Sequence, residues 1–440
     1  MRATLIIGAG YGDEGKGLAT DWVCAKELAA GRRPLVVRAN GGTQAAHTVV
    51  TPQGDRHVFH SYGSGSLQDV PTYYGPEFLF NPIGFRVEAE ELPVLGYAEV
   101  YAHPEAVISL PVDMMINQIM EERRAGNRHG SCGWGIGETV ERSSHGGWRL
   151  TMAEMGGLDP TLVAAISDDY ASMRWHKLGV DPYSIPAEWQ EHLQRNEVIY
   201  KFVEDCAAAA KRITLADHST LPVLADSLIF EGAQGLGLDQ AGAHFPHVTR
   251  SNTGCANPLA LLARLGEEQV EVIDVLYVTR CYATRHGAGP LEHEGEQHGC
   301  VVSDPTNVEN QWQGSLRTAP LDSELTTRLV ARDLQQLLIA YPAAHFNMLM
   351  TCTDQAGPDY TFIGTEGPVR APLNKPSHAL GRIMSGARQL CYRAGYDTKG
   401  MRALLSSGPT RQDVTVLHTH PGSFTEYVAE MRGTQHSPQL

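Results

Sequence analysis

The sequence predicts an α/β fold with a large, mostly parallel central β-sheet flanked by helices. Two observations carry this expectation. Short apolar runs of strand length alternate along the chain with helical patterns, the order that builds a parallel sheet. Each main run also leads into a polar or glycine-containing loop. Those loops should gather at the carboxyl edge of the sheet, where such folds hold their ligands.

Taken in order, Ala3–Ile7 reads as a first strand, Leu18–Ala30 as a helix and Leu35–Arg38 as a second strand. Further buried strands are expected at Ser227–Phe230, Ile273–Val278, His345–Thr351 and Ala403–Ser407. Helices are expected at Val112–Arg124, Pro186–Ile213 and Leu321–Ala340. The second opens on Pro186, whose missing N–H costs little in a first turn. Its apolar positions Trp189, Leu193, Phe202 and Val203 form a packing face. Residues 52–100 and 355–400 are rich in Pro and Gly and weakly periodic, so loops and short elements are expected there. There are no internal repeats and no clean linker. The 440 residues are read as one domain with additional subdomains whose boundaries are not legible.

Composition narrows the class. A net charge of −15 disfavours sequence-independent binding of nucleic acid, which needs a basic surface. A phosphate ligand must then be held by local backbone and cations. The eight cysteines are scattered without a CxxC pair, the pattern of reduced thiols rather than of a disulfide framework or zinc site. There is neither a signal-peptide h-region nor an apolar run of spanning length. A soluble, acidic, cytoplasmic protein without a membrane partner is expected.

The start of the chain is the most specific segment. The strand at Ala3–Ile7 runs into Gly8-Ala-Gly-Tyr-Gly-Asp-Glu-Gly-Lys-Gly17, and the helix follows. Glycines let backbone N–H groups approach an anion, and the helix N-terminus adds its positive dipole end. This reads as a phosphate cradle and makes the architecture P-loop-like. Neither familiar fingerprint fits fully. Asp13 stands at the third glycine of GxGxxG, and Gly17 replaces the Ser/Thr of a P-loop. An aspartate among phosphates suggests metal binding or proton transfer. After the second strand, a second glycine loop carries Gln44, His47 and Thr48, where a histidine can donate to phosphate oxygens. Later loops read Gly130-Ser-Cys-Gly-Trp-Gly-Ile-Gly137, Phe230-Glu-Gly-Ala-Gln-Gly235, Pro246-His-Val-Thr-Arg-Ser-Asn-Thr253, Ala283-Thr-Arg-His-Gly-Ala-Gly-Pro290, Thr351-Cys-Thr-Asp354 and Ser406-Ser-Gly-Pro-Thr-Arg411.

Together these segments resemble the adenylosuccinate synthetase family. Gly12–Gly17 matches its Gly-Asp-Glu-Gly-Lys-Gly loop, Gly41–Thr48 is similar to its Gly-Gly-His-Asn-Ala-Gly-His-Thr, and residues 230–235 are identical to its Phe-Glu-Gly-Ala-Gln-Gly. Residues 248–253 and 283–290 match further motifs in family order.

The resemblance implies a ligase that makes adenylosuccinate from IMP, GTP and L-aspartate with Mg²⁺. The 6-oxo oxygen is first phosphorylated, and the phosphate is then displaced by the amine. On this reading Asp13 takes the N1 proton and ligates Mg²⁺ with the Ala46 carbonyl. His47 donates to the transferring phosphoryl group, Lys16 offsets phosphate charge and Gln234 orients the purine. The triphosphate falls to Gly12, Glu14, Gly15, Lys16, Gly17, Thr48, Ser407 and Gly408, with Asp354 reading guanine. The monophosphate nucleotide falls to Asp13, Gln44, Ser131, Cys132, Gln234, Thr249, His286 and Arg317. A homodimer is expected, with Arg142 or Arg149 crossing into the partner's site.

The departures from the family are specific. Gln44 replaces an Asn, Ala46 a Gly, Cys132 a Thr, Trp134 an Arg, His286 a Val and Cys352 a Lys. The family's aspartate-gripping loop of threonines and arginines is replaced by Asn310-Gln-Trp-Gln-Gly-Ser-Leu-Arg-Thr-Ala-Pro320, in which Arg317 and Thr318 survive. A dicarboxylate normally needs paired cations in fixed geometry. Three alternatives therefore stand beside aspartate-dependent synthesis: another amine, a guanine nucleotide substrate, or ATP as donor. The alternative of another class is an inactive nucleotide-binding regulatory homologue. The histidine pairs His244/His247, His293/His298 and His418/His420 lack zinc spacing and are read as packing or solvated residues.

Overall fold

In the computed structural model, which describes residues 1–92, 98–307, 309, 311–370 and 372–423, the central sheet has ten strands. In chain order these are β1 (Arg2–Gly8), β2 (Pro34–Arg38), β3 (Thr72–Tyr74), β4 (Val100–Ala102) and β5 (Ile213–Leu215). They continue as β6 (Ser227–Glu231), β7 (Val272–Arg280), β8 (His345–Thr351), β9 (Lys399–Ser406) and β10 (Val414–Ser423). Their spatial order is β10-β9-β8-β7-β1-β6-β2-β3-β4-β5. Only the β9–β10 pairing among them is antiparallel. The inner strands β1, β2 and β6 are almost continuously apolar and buried, as strands covered on both faces must be.

All six strands expected from sequence are present. The helix after the phosphate loop begins two residues early, at Lys16 (α1, Lys16–Ala29), so the lysine itself stands in its first turn. The expected helix at 112–124 spans Pro111–Arg124. The helix expected over Pro186–Ile213 is two helices, Ala187–Gln194 and Asn196–Ala210, broken where Arg195 adopts an extended conformation with ψ 108°. Ile213 then enters the sheet.

The expectation of loops over 355–400 is corrected: Pro376–Arg393 is an 18-residue helix. Gly381 and Gly386 weaken its helical pattern. Yet Gly386 is required, because a Cβ there would stand 2.8 Å from Thr327 Cγ2 on the packed helix Ser323–Ala340. Likewise Pro82–Glu91 is helical, capped by the Asn81 side chain accepting from Gly84 N–H. Residues 93–97 and 371 of these two stretches lie outside the described residues, as does Asn310.

One core cluster packs helices 256–265, 323–340 and 376–393 against one face of the sheet. A second, built from residues between Val49 and Ile213, binds the helical region inserted around β3–β5. Parallel pairing puts the carboxyl ends of β1, β2, β6, β7, β8 and β9 along one edge. No described helix is long and apolar enough to cross a membrane.

Candidate active site

A cleft of about 1490 Å³ runs along that edge. It exceeds the roughly 300–1,000 Å³ typical for one drug-sized ligand. Its lining includes Gly12, Asp13, Glu14, Gly15, Lys16 and Gly17 from the phosphate loop, and Gln44, Ala46, His47 and Thr48 from the loop after β2. Ser131, Cys132, Gln234, Thr249, His286, Asp354 and Gly408 complete the sequence-derived set. Ser407 and Arg317 are not among the described lining residues. Ser407 N–H donates to the Asp413 carbonyl. Arg317 donates to the carbonyls of Gly287 and Gly289 and to the Glu294 carboxylate, so it steadies the loop that carries His286.

The phosphate loop is shaped by backbone that L-residues rarely adopt. Gly12 and Gly15 have φ of 99° and 96°, and Asp13 is held at φ 64°. Gln234 (φ 55°) and Cys352 (φ 58°) are further non-glycine cleft residues in this region. Such conformations persist where surrounding structure over-determines them and cluster at functional sites. Ala46 is not in this region, so its Cβ is compatible with the backbone.

Glu14 is folded back into the loop and buried. Its Oε1 accepts from the N–H groups of Gly10 (3.1 Å) and Gly12 (2.8 Å), and its Oε2 lies 2.5 Å from Lys16 Nζ. Lys16 is thus paired within the free protein. His47 opens a short hairpin, His47–Val50 with Arg56–Phe59. Its ring is buried, with Nδ1 2.8 Å from Glu231 Oε1 at the end of β6. Burial pushes the His47 pKa below its ordinary value, against the opposing pull of the Glu231 carboxylate. The same histidine, with Arg38 and Ser64, holds the buried Glu231 carboxyl well below the carboxylate range despite its desolvation.

Around Asp13 lies a closed polar ring. Asp13 Oδ2 is 3.5 Å from His286 Nε2, which is 3.1 Å from Asn307 Oδ1. Asn307 donates to Asp304 (2.8 Å), which pairs with Arg280 (2.6 Å). Arg280 Nε closes the ring on the Asp13 carbonyl. Sequence reading missed Arg280, Asp304, Asn307 and the role of Glu231. Arg280 could have been found from its place two residues beyond the predicted strand Ile273–Val278, where the observed strand ends. Asp304 and Asn307 belong to a loop whose docking no local signal announces. The amide oxygens assigned to Gln44 and Gln234 are buried without a partner among the described residues, which leaves both side chains to a ligand.

Three further arginines of the cleft are paired as well. Arg124 meets Glu121 (2.7 Å), Arg174 meets Glu138 (2.6 Å) and Arg250 meets Glu141 (2.9 Å). His247, read from sequence as a packing or solvated residue, lines the cleft beside His129, to whose carbonyl its Nδ1 lies at 3.1 Å. His244 contacts Tyr11, and His298 stacks on Tyr282. The side chains of His418 and His420 lie outside the described set. Arg142 does not reach toward a partner: it is fully buried on Asp113 and on the carbonyls of Ile108 and Trp148. Arg149 remains exposed.

A metal would find few ligands here. Among the described residues no three His, Cys, Asp or Glu side chains converge as a metal cage. Mg²⁺ does not need one, since it binds through one or two carboxylates with water and substrate phosphates. Asp13 faces the cleft without a short ion pair, and Ala46 lines it. The donor set fits Mg²⁺ held largely by a nucleotide.

With this geometry in view, the adenylosuccinate synthetase family model matches residues 5–317. The chain belongs to the adenylosuccinate synthetase family. An adenylosuccinate synthetase from Cyanothece sp. is 31% identical over 312 residues, 69% of this chain and 65% of that protein. The chain therefore spans just under two thirds of that relative's length. One from Alkaliphilus metalliredigens is 28% identical over 368 residues, 80% of this chain and 81% of the relative. A fully ligated adenylosuccinate synthetase from Plasmodium falciparum shares the fold with a TM-score of 0.65 at 17% identity, covering 95% of this chain and all of that one. The family match ends at Arg317, within the segment where the aspartate-gripping pattern is lost.

Proposed function

We propose that this protein is a purine-nucleotide ligase that phosphorylates the 6-oxo oxygen of IMP with GTP and displaces the phosphate with the amine of L-aspartate. The observation that supports this most is the convergence of Asp13, Lys16, His47 and Gln234, from three strand ends, in one cleft. Asp13 takes the N1 proton, so that electron density reaches O6 and O6 attacks the γ-phosphorus. The bond to the leaving diphosphate then breaks. In the second step the amine nitrogen bonds to C6, the C6–O bond breaks, phosphate departs and the amine loses a proton. Mg²⁺, held by Asp13 and the Ala46 carbonyl, would supply charge neutralisation on the phosphates.

His47 suits phosphoryl chemistry through its surroundings. In the free protein burial favours the neutral ring. Phosphate charge beside it raises its proton affinity, and Glu231 steadies the imidazolium that forms, as a buried carboxylate does in a catalytic triad. The proton His47 donates therefore arrives with substrate. Asp354 is exposed in the cleft with no described partner, and its carboxylate can accept the N1–H and 2-amino hydrogens of guanine. This favours GTP over ATP.

A second reading of the amine is favoured by one observation. Ser303, Asp304, Thr306 and Asn307 line the cleft next to Asp13, and they present a carboxylate, hydroxyls and an amide instead of paired arginines. An amine with fewer carboxylates than aspartate fits such a lining. The test is to incubate the protein with Mg²⁺, GTP, IMP and a mixture of the common amino acids, following products by mass. Adenylosuccinate establishes the first reading and another amine adduct the second. If neither adduct nor IMP-dependent phosphate release appears, both are wrong; the same assay with a guanine nucleotide as substrate or ATP as donor then separates a paralogue from a silent nucleotide-binding homologue.

A further inference from the structure

The hairpin that follows the loop after β2 brings one more charged residue to the cleft. Val50 pairs with Arg56 across the hairpin, and both line the cleft. The Arg56 guanidinium donates to Thr306 Oγ1 at 2.5 Å, and Thr306 Oγ1 lies 3.0 Å from Thr48 Oγ1. Thr48 in turn packs on the start of α1: a Cβ on Gly17 would stand 2.7 Å from the Thr48 carbonyl oxygen. The chain Arg56–Thr306–Thr48 therefore ends beside the loop that would cradle phosphate.

What sets Arg56 apart is its charge balance. The other five lysine and arginine side chains lining the cleft each meet a carboxylate within 2.9 Å. Among the described residues, Arg56 has a hydroxyl partner and no carboxylate. A guanidinium left unneutralised in a protein of net charge −15 keeps its full attraction for an anion. Its planar fork presents donors beyond the one Thr306 uses.

We infer that Arg56, steadied by Thr306 and Thr48, binds an anionic oxygen group of a substrate, either a phosphoryl oxygen of the triphosphate or a carboxylate of the incoming amine. This rests on the ligase reading for its substrates. As the one unpaired arginine among the described cleft residues, it can serve a single such group. The packing of Thr48 on α1 puts the triphosphate first.

The test compares wild type with Arg56→Gln and Arg56→Lys. The Kd of GTP with Mg²⁺ is measured by calorimetry without amine, and the KM of the accepted amine by turnover. Loss of a charge-assisted contact predicts a change of about 10-fold or more in one of the two for Arg56→Gln, with partial recovery in Arg56→Lys. A raised Kd assigns Arg56 to the triphosphate; an unchanged Kd with a raised amine KM assigns it to the carboxylate. Both constants within about 2-fold of wild type, in a variant with unchanged melting temperature, would overturn the inference. If wild type shows no turnover, the ligase reading fails by itself. GTP and pyrophosphate binding then decide for Arg56, and unchanged Kd values for both reject it.

Discussion

Glu14 Oε2 lies 2.5 Å from Lys16 Nζ, and both side chains are buried. The residue that would meet phosphate is thus neutralised by the residue two positions before it, whose other oxygen occupies two loop amides. A nucleotide entering this loop competes with a carboxylate already in place.

Glu14→Gln should therefore behave oppositely with and without ligand. Removing one member of a buried pair costs about 3–5 kcal/mol, so the free variant should melt well below wild type. Nucleotide phosphate can replace the missing charge, so GTP with Mg²⁺ should raise the melting temperature more in Glu14→Gln than in wild type. Equal melting temperatures in the free proteins would show that the pair is not formed.

Arg142 is structural on this geometry. Arg142→Ala strands Asp113 in the core and should cost about 3–5 kcal/mol, seen as a lower melting temperature at every protein concentration. Arg149→Ala, on the exposed surface, should change monomer stability by no more than about 0.5 kcal/mol. If Arg149 crosses to a partner, that variant loses activity while keeping its melting temperature.

Cys281 Sγ lies 3.9 Å from Cys300 Sγ. The hydrogen bond from Cys281 chiefly, with help from His298, pulls the Cys300 thiol down to about 6. The reactive thiolate should be present above that pH and lost as pH falls through it. Alkylation of Cys300 by iodoacetamide, followed by peptide mass, should reach half its plateau rate near pH 6. Cys281→Ala should move that midpoint up toward the ordinary value of about 8.5. A midpoint near 8.5 in wild type would contradict the contact.

Asp354→Asn should weaken GTP specifically. Exchanging a carboxylate for an amide removes charge-assisted hydrogen bonds worth about 1.5–3 kcal/mol, a rise in GTP KM of roughly 10- to 150-fold. The KM of ATP, whose base lacks the N1–H and 2-amino donors, should change little. Equal effects on both triphosphates would place Asp354 away from the base.

The sequence by itself determined the parallel sheet, the phosphate loop and most of the residues that meet in the cleft. Its signals were local ones: apolar runs with a β-strand's length, and loops whose chemistry is written in consecutive residues such as Gly12–Gly17 and Phe230–Gly235. Local signals failed where packing outweighed propensity. Pro376–Arg393 is helical although two glycines interrupt it, because its buried face and the close approach at Gly386 supply what the pattern lacks. Arg142 or Arg149 was expected to cross to a partner, and local sequence gave no sign that Asp113, 29 residues before Arg142, claims the first of them in the core. Only the tertiary structure decided which charges are paired. Glu231 on His47, Asp304 on Arg280 and the unpaired Arg56 join residues far apart in the chain. Ion pairing depends on distance in space and on desolvation, and neither is encoded within a short window of sequence.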